Sequence, residues 1–419
     1  MKDRLSHPVT ASSAVRWLAL FLISSASWLL PAQAGAVPAY GRRYDTKCET
    51  CHSPLPPRLN NTGEVFRKWG FRLPDADENG HLTVKTVPAH GISDAASISA
   101  EFSARQDQTL DPGQSRSTLE MGEVAVIAGT SIGDHLSMQA IFVPRNGEGG
   151  VELENAQLQY NHGVPSHQFS LRAGLIEPFL WMKATHGTLT PANTLAFSEE
   201  PLIPAGSFPG FALGLNQVEM EVGYTYTKLR NGKMWTTMLT AAALNGIDET
   251  GAVAARNTTD GMDVLLQAVQ LFGARNSFGG FYYKGRTVVD PSGLLLPPGP
   301  FRNHFSRYGA MANYAVLDRV DLVGAFADGK DHSDELSGNV VSRGGYAQID
   351  VTIRNRWIAD YRRDYLDPDR NVSGDLIRAH VLSTTYQAED NLFFTAGYQE
   401  TDEEGLKSHG LTGVIRLVY

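Results

Sequence analysis

Five consecutive residues carry the most specific chemistry in the chain: Cys48-Glu49-Thr50-Cys51-His52. They include the only two cysteines among 419 residues. C-x-x-C-H is the attachment signature of a c-type haem. The spacing lets two thiols reach two fixed vinyl groups on one macrocycle, while the adjacent imidazole comes beneath the iron as proximal ligand. Other chemistries also use paired cysteines. A disulfide suits an exported chain. A zinc site needs further Cys or His ligands nearby, and a thioredoxin-like motif needs a βαβ surround. No such surround is visible in the sequence. The pattern predicts one covalent haem c on Cys48 and Cys51, with His52 as proximal iron ligand. There is no Met between His52 and Met121. His81 or His90, the nearest imidazoles, is the candidate distal ligand; for each, a surface histidine is the plain alternative, and a ligand from the later chain or an open position stands beside them.

The motif must be delivered to its compartment and held there. Lys2, Arg4 and Arg16 form a basic start, Trp17 to Leu30 is apolar, and Ala32-Gln33-Ala34 reads as a cleavage site. Residues 1–34 are thus the expected signal peptide. The apolar run is too short for the roughly 20 residues of a spanning helix. Residues 35–92 form the expected haem segment. Such a small, Pro-rich piece buries little core alone and must lean on its cofactor and on the rest of the chain.

Residues 93–419 show the period-2 alternation of strands rather than helical periodicity. Ile98, Ala100, Phe102 and Ala104 share one face of a run. In another, Trp357, Ala359, Tyr361, Arg363 and Tyr365 oppose Asp360, Arg362 and Asp364, with Ile358 breaking the polar face. Mean hydropathy is −0.22, so membrane insertion here means a barrel. About sixteen strands fit the pattern, with short connections after even-numbered strands and longer ones after odd-numbered strands. That parity predicts an all-β fold, an outer-membrane antiparallel barrel, with the long loops outside. The final run ends on Tyr419, and Tyr224, Tyr226, Tyr282, Tyr314, Tyr346, Tyr386 and Tyr398 are candidate girdle residues. A soluble β-sandwich or propeller is the alternative, but no propeller repeat is visible. The longest loop, about residues 177 to 210, would fold into the lumen or cover its mouth. It contains Trp181, His186, Glu199 and Glu200. Net charge is −9, which argues against nucleic acid.

Pro38-Ala39-Tyr40-Gly41-Arg42-Arg43, the CETCH motif, then Pro56, Leu59, Gly63, Phe66, Lys68 and Gly70-Phe71 resemble the haem segment of the fused monohaem cytochrome–porins. That family includes outer-membrane iron-oxidising cytochromes. Tyr40 stands where Phe is usual, Leu55-Pro56 stands for Phe-Pro, and Thr62 replaces Phe. The resemblance covers about forty residues, CxxCH being its strongest part. It implies an electron carrier in the outer membrane, with the haem segment on the periplasmic side or inside the barrel lumen. Its partners would be periplasmic cytochromes or other redox carriers, and an extracellular donor or acceptor such as Fe(II). Acidic residues assigned to outer loops would gather such a cation: Asp328, Asp331, Asp334 and Glu335; Asp367 and Asp369; Asp402, Glu403 and Glu404. Ordinary solvated loops are the plain reading of the same residues. Asp367-x-Asp369-x-Asn371-x-Ser373 weakly resembles a calcium loop, with Arg378 where the closing Glu would stand. Two alternatives stand beside the conduit: a solute-conducting porin with the haem as gate or sensor, and a periplasmic haem-binding β protein.

Overall fold

A computed structural model of the chain describes residues 39–85 (without 54 and 57), 97–110, 116–145, 150–178, 194–197, 213, 216–246, 261–289, 301–333, 339–354, 356–403 and 405–418. The expected signal peptide, His90 and Tyr419 lie outside the described residues, as do Trp181, His186, Glu199 and Glu200.

The N-terminal segment is small. Helix α1 spans Ala39–Tyr44, a 3-10 turn spans Cys48–Thr50, and helix α2 spans Asn61–Lys68. A two-stranded hairpin follows, β1 (Pro74–Ala76) and β2 (Leu82–Val84). Asn60 caps α2, its side chain accepting from the Gly63 amide at 3.0 Å, which satisfies a donor the helix start would otherwise leave open. The helix ends where Gly70 and Phe71 both turn left-handed, at φ 68° and 59°. Phe71 bears that strain because its amide donates to the Phe66 carbonyl (2.9 Å) and its carbonyl accepts from the Tyr44 hydroxyl (2.7 Å).

The remaining strands close into one barrel of sixteen. They are β3 (Ser97–Thr109), β4 (Arg116–Ile132), β5 (Leu136–Arg145), β6 (Gly150–Val164), β7 (His167–Ile176), β8 (Gln217–Arg230), β9 (Lys233–Leu244), β10 (Asp263–Phe272), β11 (Asn276–Val289), β12 (Phe301–Leu317), β13 (Val320–Ser333), β14 (Asn339–Arg354), β15 (Trp357–Asp367), β16 (Ile377–Glu389), β17 (Leu392–Glu403) and β18 (Leu406–Val418). Each is antiparallel to its neighbour, and β18 pairs with β3 to close the ring. Closure matters because an open sheet edge has no hydrogen-bond partners in hydrocarbon.

The expected connection parity holds with one exception. One end carries turns of two or three residues, such as 133–135, 231–232 and 318–319. The other carries the longer connections, up to 177–216, but its last, 404–405, is also short. The short-turn end is the periplasmic end of such barrels.

The outer wall is apolar: Val222, Leu266, Tyr282, Tyr308, Tyr314 and Leu382 are exposed. A continuous apolar exterior of this kind requires lipid. The inner wall is polar, with Asp360, Arg362 and Asp364 buried as the alternation predicted. Two expectations are corrected. Tyr346 does not belong to a girdle: it shares its face of β14 with Gln348 and Asp350 and is buried in the lumen. Asp328 and Asp331 are not loop residues. They lie in β13, where Asp328 accepts from Arg343 (2.7 Å), and Asp331 accepts from Arg307 (2.8 Å) and Asn303 (2.7 Å). Such pairing leaves them poor collectors of a free cation.

Candidate functional site

The N-terminal segment sits inside the short-turn mouth of the barrel. Its polar contacts there range from exposed to fully buried. Asn61 donates to the carbonyls of Phe272, Gly273 and Asn276 at 3.3, 3.0 and 2.9 Å, around the turn between β10 and β11. Arg72 reaches the carbonyls of Gly133 (3.0 Å) and Leu136 (3.2 Å) at the β4–β5 turn. Arg58 pairs with Asp350 and also donates to Asn313 at 2.7 Å. Lys68 pairs with Glu221 at 2.9 Å. Burial pulls the Lys68 ammonium down to about 8, against the Glu221 carboxylate, which holds it up, so it still carries a proton at neutral pH.

Apolar contacts complete the fit. Val65 and Trp69 pack on Met238, Val269 and Leu271 of the wall. Leu55 packs on Ile358 and Phe393. Ile358 is the residue that broke the polar face of β15, and its apolar side chain meets the segment there.

The CETCH turn is built from these anchors. The Cys51 and His52 amides donate to the Cys48 carbonyl at 3.1 and 2.9 Å. The Asn60 side chain ties the turn to α2 by donating to the Glu49 and Thr50 carbonyls, both at 3.1 Å. Gly63 lies directly over the Cys51 carbonyl, so a Cβ there would collide with backbone. The ring stack of Tyr40 on Phe71 (centroids 5.2 Å apart), with Phe66 edge-on to Tyr40 at 5.1 Å, packs beside Cys51.

Cys48, Cys51 and His52 all line one cavity between the segment and the barrel wall, of about 320 Å³. Leu59, Phe66, Ile127 and Ile141 supply apolar surface, while the charged lining is mixed: Arg67, Arg172 and Arg416 are each paired with a carboxylate (Glu64, Glu221 and Glu101), and Glu154, Glu177 and Asp390 also face the space. Both thiols are free. Burial, reinforced by the neighbouring Cys48, pushes the Cys51 thiol up to about 11, and burial raises that of Cys48 too. His52 Nδ1 lies 3.1 Å from the Arg58 carbonyl. A carbonyl only accepts, so Nδ1 carries the proton and the lone pair is on Nε2. That is the tautomer an iron ligand needs. The donor set, the ring geometry and the apolar part of the lining fit a covalent haem.

The distal candidates fare differently. His81 is in the exposed β1–β2 turn, 3.0 Å from Asp77, and does not line the cavity. Asp77 is held below the usual carboxylate range, chiefly by the His81 amide, so this pair belongs to the turn. Among the cavity's lining residues, His52 is the sole imidazole and no Met is present. Among the described residues, no three His, Cys, Asp or Glu group to hold a metal ion. At the weak calcium-like loop, the Asp369 carboxylate instead accepts from the Asn371 amide at 3.1 Å.

A second insertion comes from the long connection 177–216. Thr194, Leu195, Ala196 and Phe197 are buried in the lumen, where Phe197 meets Tyr346 edge-on at 6.0 Å. Gly344 admits Ala196, and a Cβ there would lie 2.6 Å from that of Ala196. Of the two expectations for this loop, the described residues support folding inward.

Solved structures share this architecture. An anion-selective porin from Comamonas acidovorans superposes with a TM-score of 0.55 at 10% identity, over 77% of this chain and 99% of that one. OmpT of Vibrio cholerae, in its in-vitro folded form, gives 0.53 at 11% identity, over 77% and 97%. The chain has the fold of an outer-membrane porin. No protein-family model and no curated protein matches its sequence. At such identities the likeness covers the barrel's fold.

Proposed function

We propose that the chain is an outer-membrane electron carrier, a porin-fold barrel whose periplasmic mouth is filled by a monohaem cytochrome c segment. One observation carries this reading: the C-x-x-C-H turn opens onto a cavity inside the barrel mouth, with His52 Nδ1 in hydrogen-bond reach of the Arg58 carbonyl so that Nε2 is left for a ligand bond. Cys48 and Cys51 would hold the group by thioether bonds, and His52 would ligate its iron. When bound, haem c supplies reversible one-electron redox chemistry. The chain's own residues do the rest. Arg58, Asn61, Lys68 and Arg72 fix the segment in the mouth, and the aromatic cluster around Cys51 keeps the site apolar. A hydrocarbon core of about 30 Å is too long for one electron transfer step, and a redox centre inside the lumen shortens it. Extracellular Fe(II) is the donor that the family resemblance suggests.

The comparisons favour a second reading, a solute-conducting channel with the haem as gate or sensor, because the similar structures are porins by name. The segment and the 194–197 insertion, both within the lumen, favour the first. A soluble β-sandwich loses its basis now that the strands close into a barrel with an apolar exterior.

Two measurements on the purified chain separate the readings. Intact mass is expected to show one covalent haem, absent from Cys48→Ala/Cys51→Ala. Planar-bilayer recordings are expected to show little ion current. A haem-free wild-type chain, or open-porin conductance with haem bound, would favour the channel.

A further inference from the structure

The lipid-facing wall of a barrel ordinarily presents large apolar side chains. In one row across β12 to β14 this wall presents small residues instead. Ala312, Gly324 and Ala347 form one row on the outer face, each the direct cross-strand partner of the next. Ala310, exposed beside Ala312, extends this floor. Phe278 and Phe326 stand at its sides. The result is an external groove of about 800 Å³.

The row does not end on another small residue. Ala347 pairs with Arg363 of β15, and one step toward the long-loop end Tyr365 pairs with Arg378 of β16. Both arginines line the groove and are exposed on its outer side. Of the nearby acids, Asp328 holds Arg343 and Glu400 holds Lys407 at 2.6 Å. Asp402, the direct cross-strand partner of Arg378, accepts from the Gly405 amide at 3.0 Å and forms no ion pair with that arginine. His380, next in the row after Arg363, is hydrogen-bonded to Tyr361 at 2.7 Å.

A cation on the lipid face of a barrel is costly unless an anion meets it there. Two guanidinium groups are suited to a phosphate, which accepts parallel hydrogen bonds from each. A trough floored by Ala and Gly on the same wall leaves room for a hydrocarbon chain. We propose that this groove binds a phosphorylated glycolipid of the outer leaflet, one acyl chain lying over Ala312, Gly324 and Ala347, and its phosphate on Arg363 and Arg378. The charge decides the occupant: a second copy of the barrel would fill the small-residue floor but leave the arginines without an anion.

The test uses the full-length, folded protein in phosphate-free detergent with added bis-phosphorylated lipid A, read by native mass spectrometry. One lipid retained per barrel is expected. Arg363→Gln/Arg378→Gln is expected to weaken retention about tenfold or more, as is removal of the lipid's phosphates. Ala312→Leu/Gly324→Leu, which fills the trough, is expected to do the same. Each variant must still migrate as a folded barrel on unheated gels, so that a lost lipid is not a lost fold. Equal retention by these variants, or by the dephosphorylated lipid, would overturn the proposal. So would efficient copy-to-copy cross-linking through Ala312→Cys with no lipid retained, since this face would then be an interface between barrels.

Discussion

Replacing Arg58 with Met should open the barrel. The substitution keeps an apolar stem but removes the guanidinium that pairs with Asp350 and donates to Asn313 at 2.7 Å. Asp321 lies 3.9 Å away, and all three charged side chains are at most 3% exposed. Breaking a buried pair by deleting one partner costs about 3–5 kcal/mol. Water drawn into the vacated space would soften the loss, so the lower bound is the safer value. About 3 kcal/mol shifts the balance between seated and unseated segment by roughly a hundredfold. Single-channel recording reads this directly: wild type should be almost closed, and Arg58→Met should open often. Adding Asp350→Asn should recover part of the closed state, because the orphaned charge goes with it. Identical recordings from wild type and Arg58→Met would refute the assignment of Arg58 as the anchor.

Other consequences follow from the same geometry. Asn61→Ala removes three hydrogen bonds to the 272–276 turn, and about 1–3 kcal/mol of seating should go with them. Limited proteolysis should then cut the segment faster while sparing the barrel, and unchanged cutting would count against the contact. Gly63→Ala forces a Cβ into the Cys51 carbonyl; haem per barrel should fall severalfold at normal barrel yield. Full loading would show that the close approach is dispensable. In the haem-free barrel, Cys51, raised from an ordinary 9.0 to about 11, should react with iodoacetamide about a hundredfold more slowly at pH 8 than an unperturbed thiol. Labelling at the rate of a free cysteine would contradict its burial.

Much of this fold was legible because barrels obey a simple code. Alternation and loop parity fixed the strand count, and the polar inner face of β15 was visible in Asp360, Arg362 and Asp364. The C-x-x-C-H turn was legible because its chemistry is local. What the sequence hid is tertiary. Ile358 looked like an error in the pattern until its partner Leu55, three hundred residues away, was in place. Tyr346 resembled the girdle tyrosines, because residue type alone does not tell an inner from an outer tyrosine. Asp328 and Asp331 read as loop acids because β13 runs further than its apolar part suggests, through residues satisfied by Arg343 and Arg307. The anchors Arg58, Asn61 and Arg72 were missed, since their partners are backbone carbonyls and carboxylates on distant strands. Their clustering around the haem motif was the one available signal. Arg363, on an apolar face, was seen but left without a role.

We propose that electrons cross the membrane through a centre bound at Cys48, Cys51 and His52. The most direct test uses sealed liposomes loaded with a redox dye, the purified protein inserted, and Fe(II) or a membrane-impermeant reductant outside. Dye reduction is expected with wild type, none with Cys48→Ala/Cys51→Ala, and a large loss with His52→Ala. A haem-loaded, correctly inserted wild-type barrel that leaves the dye oxidised with either donor would contradict it.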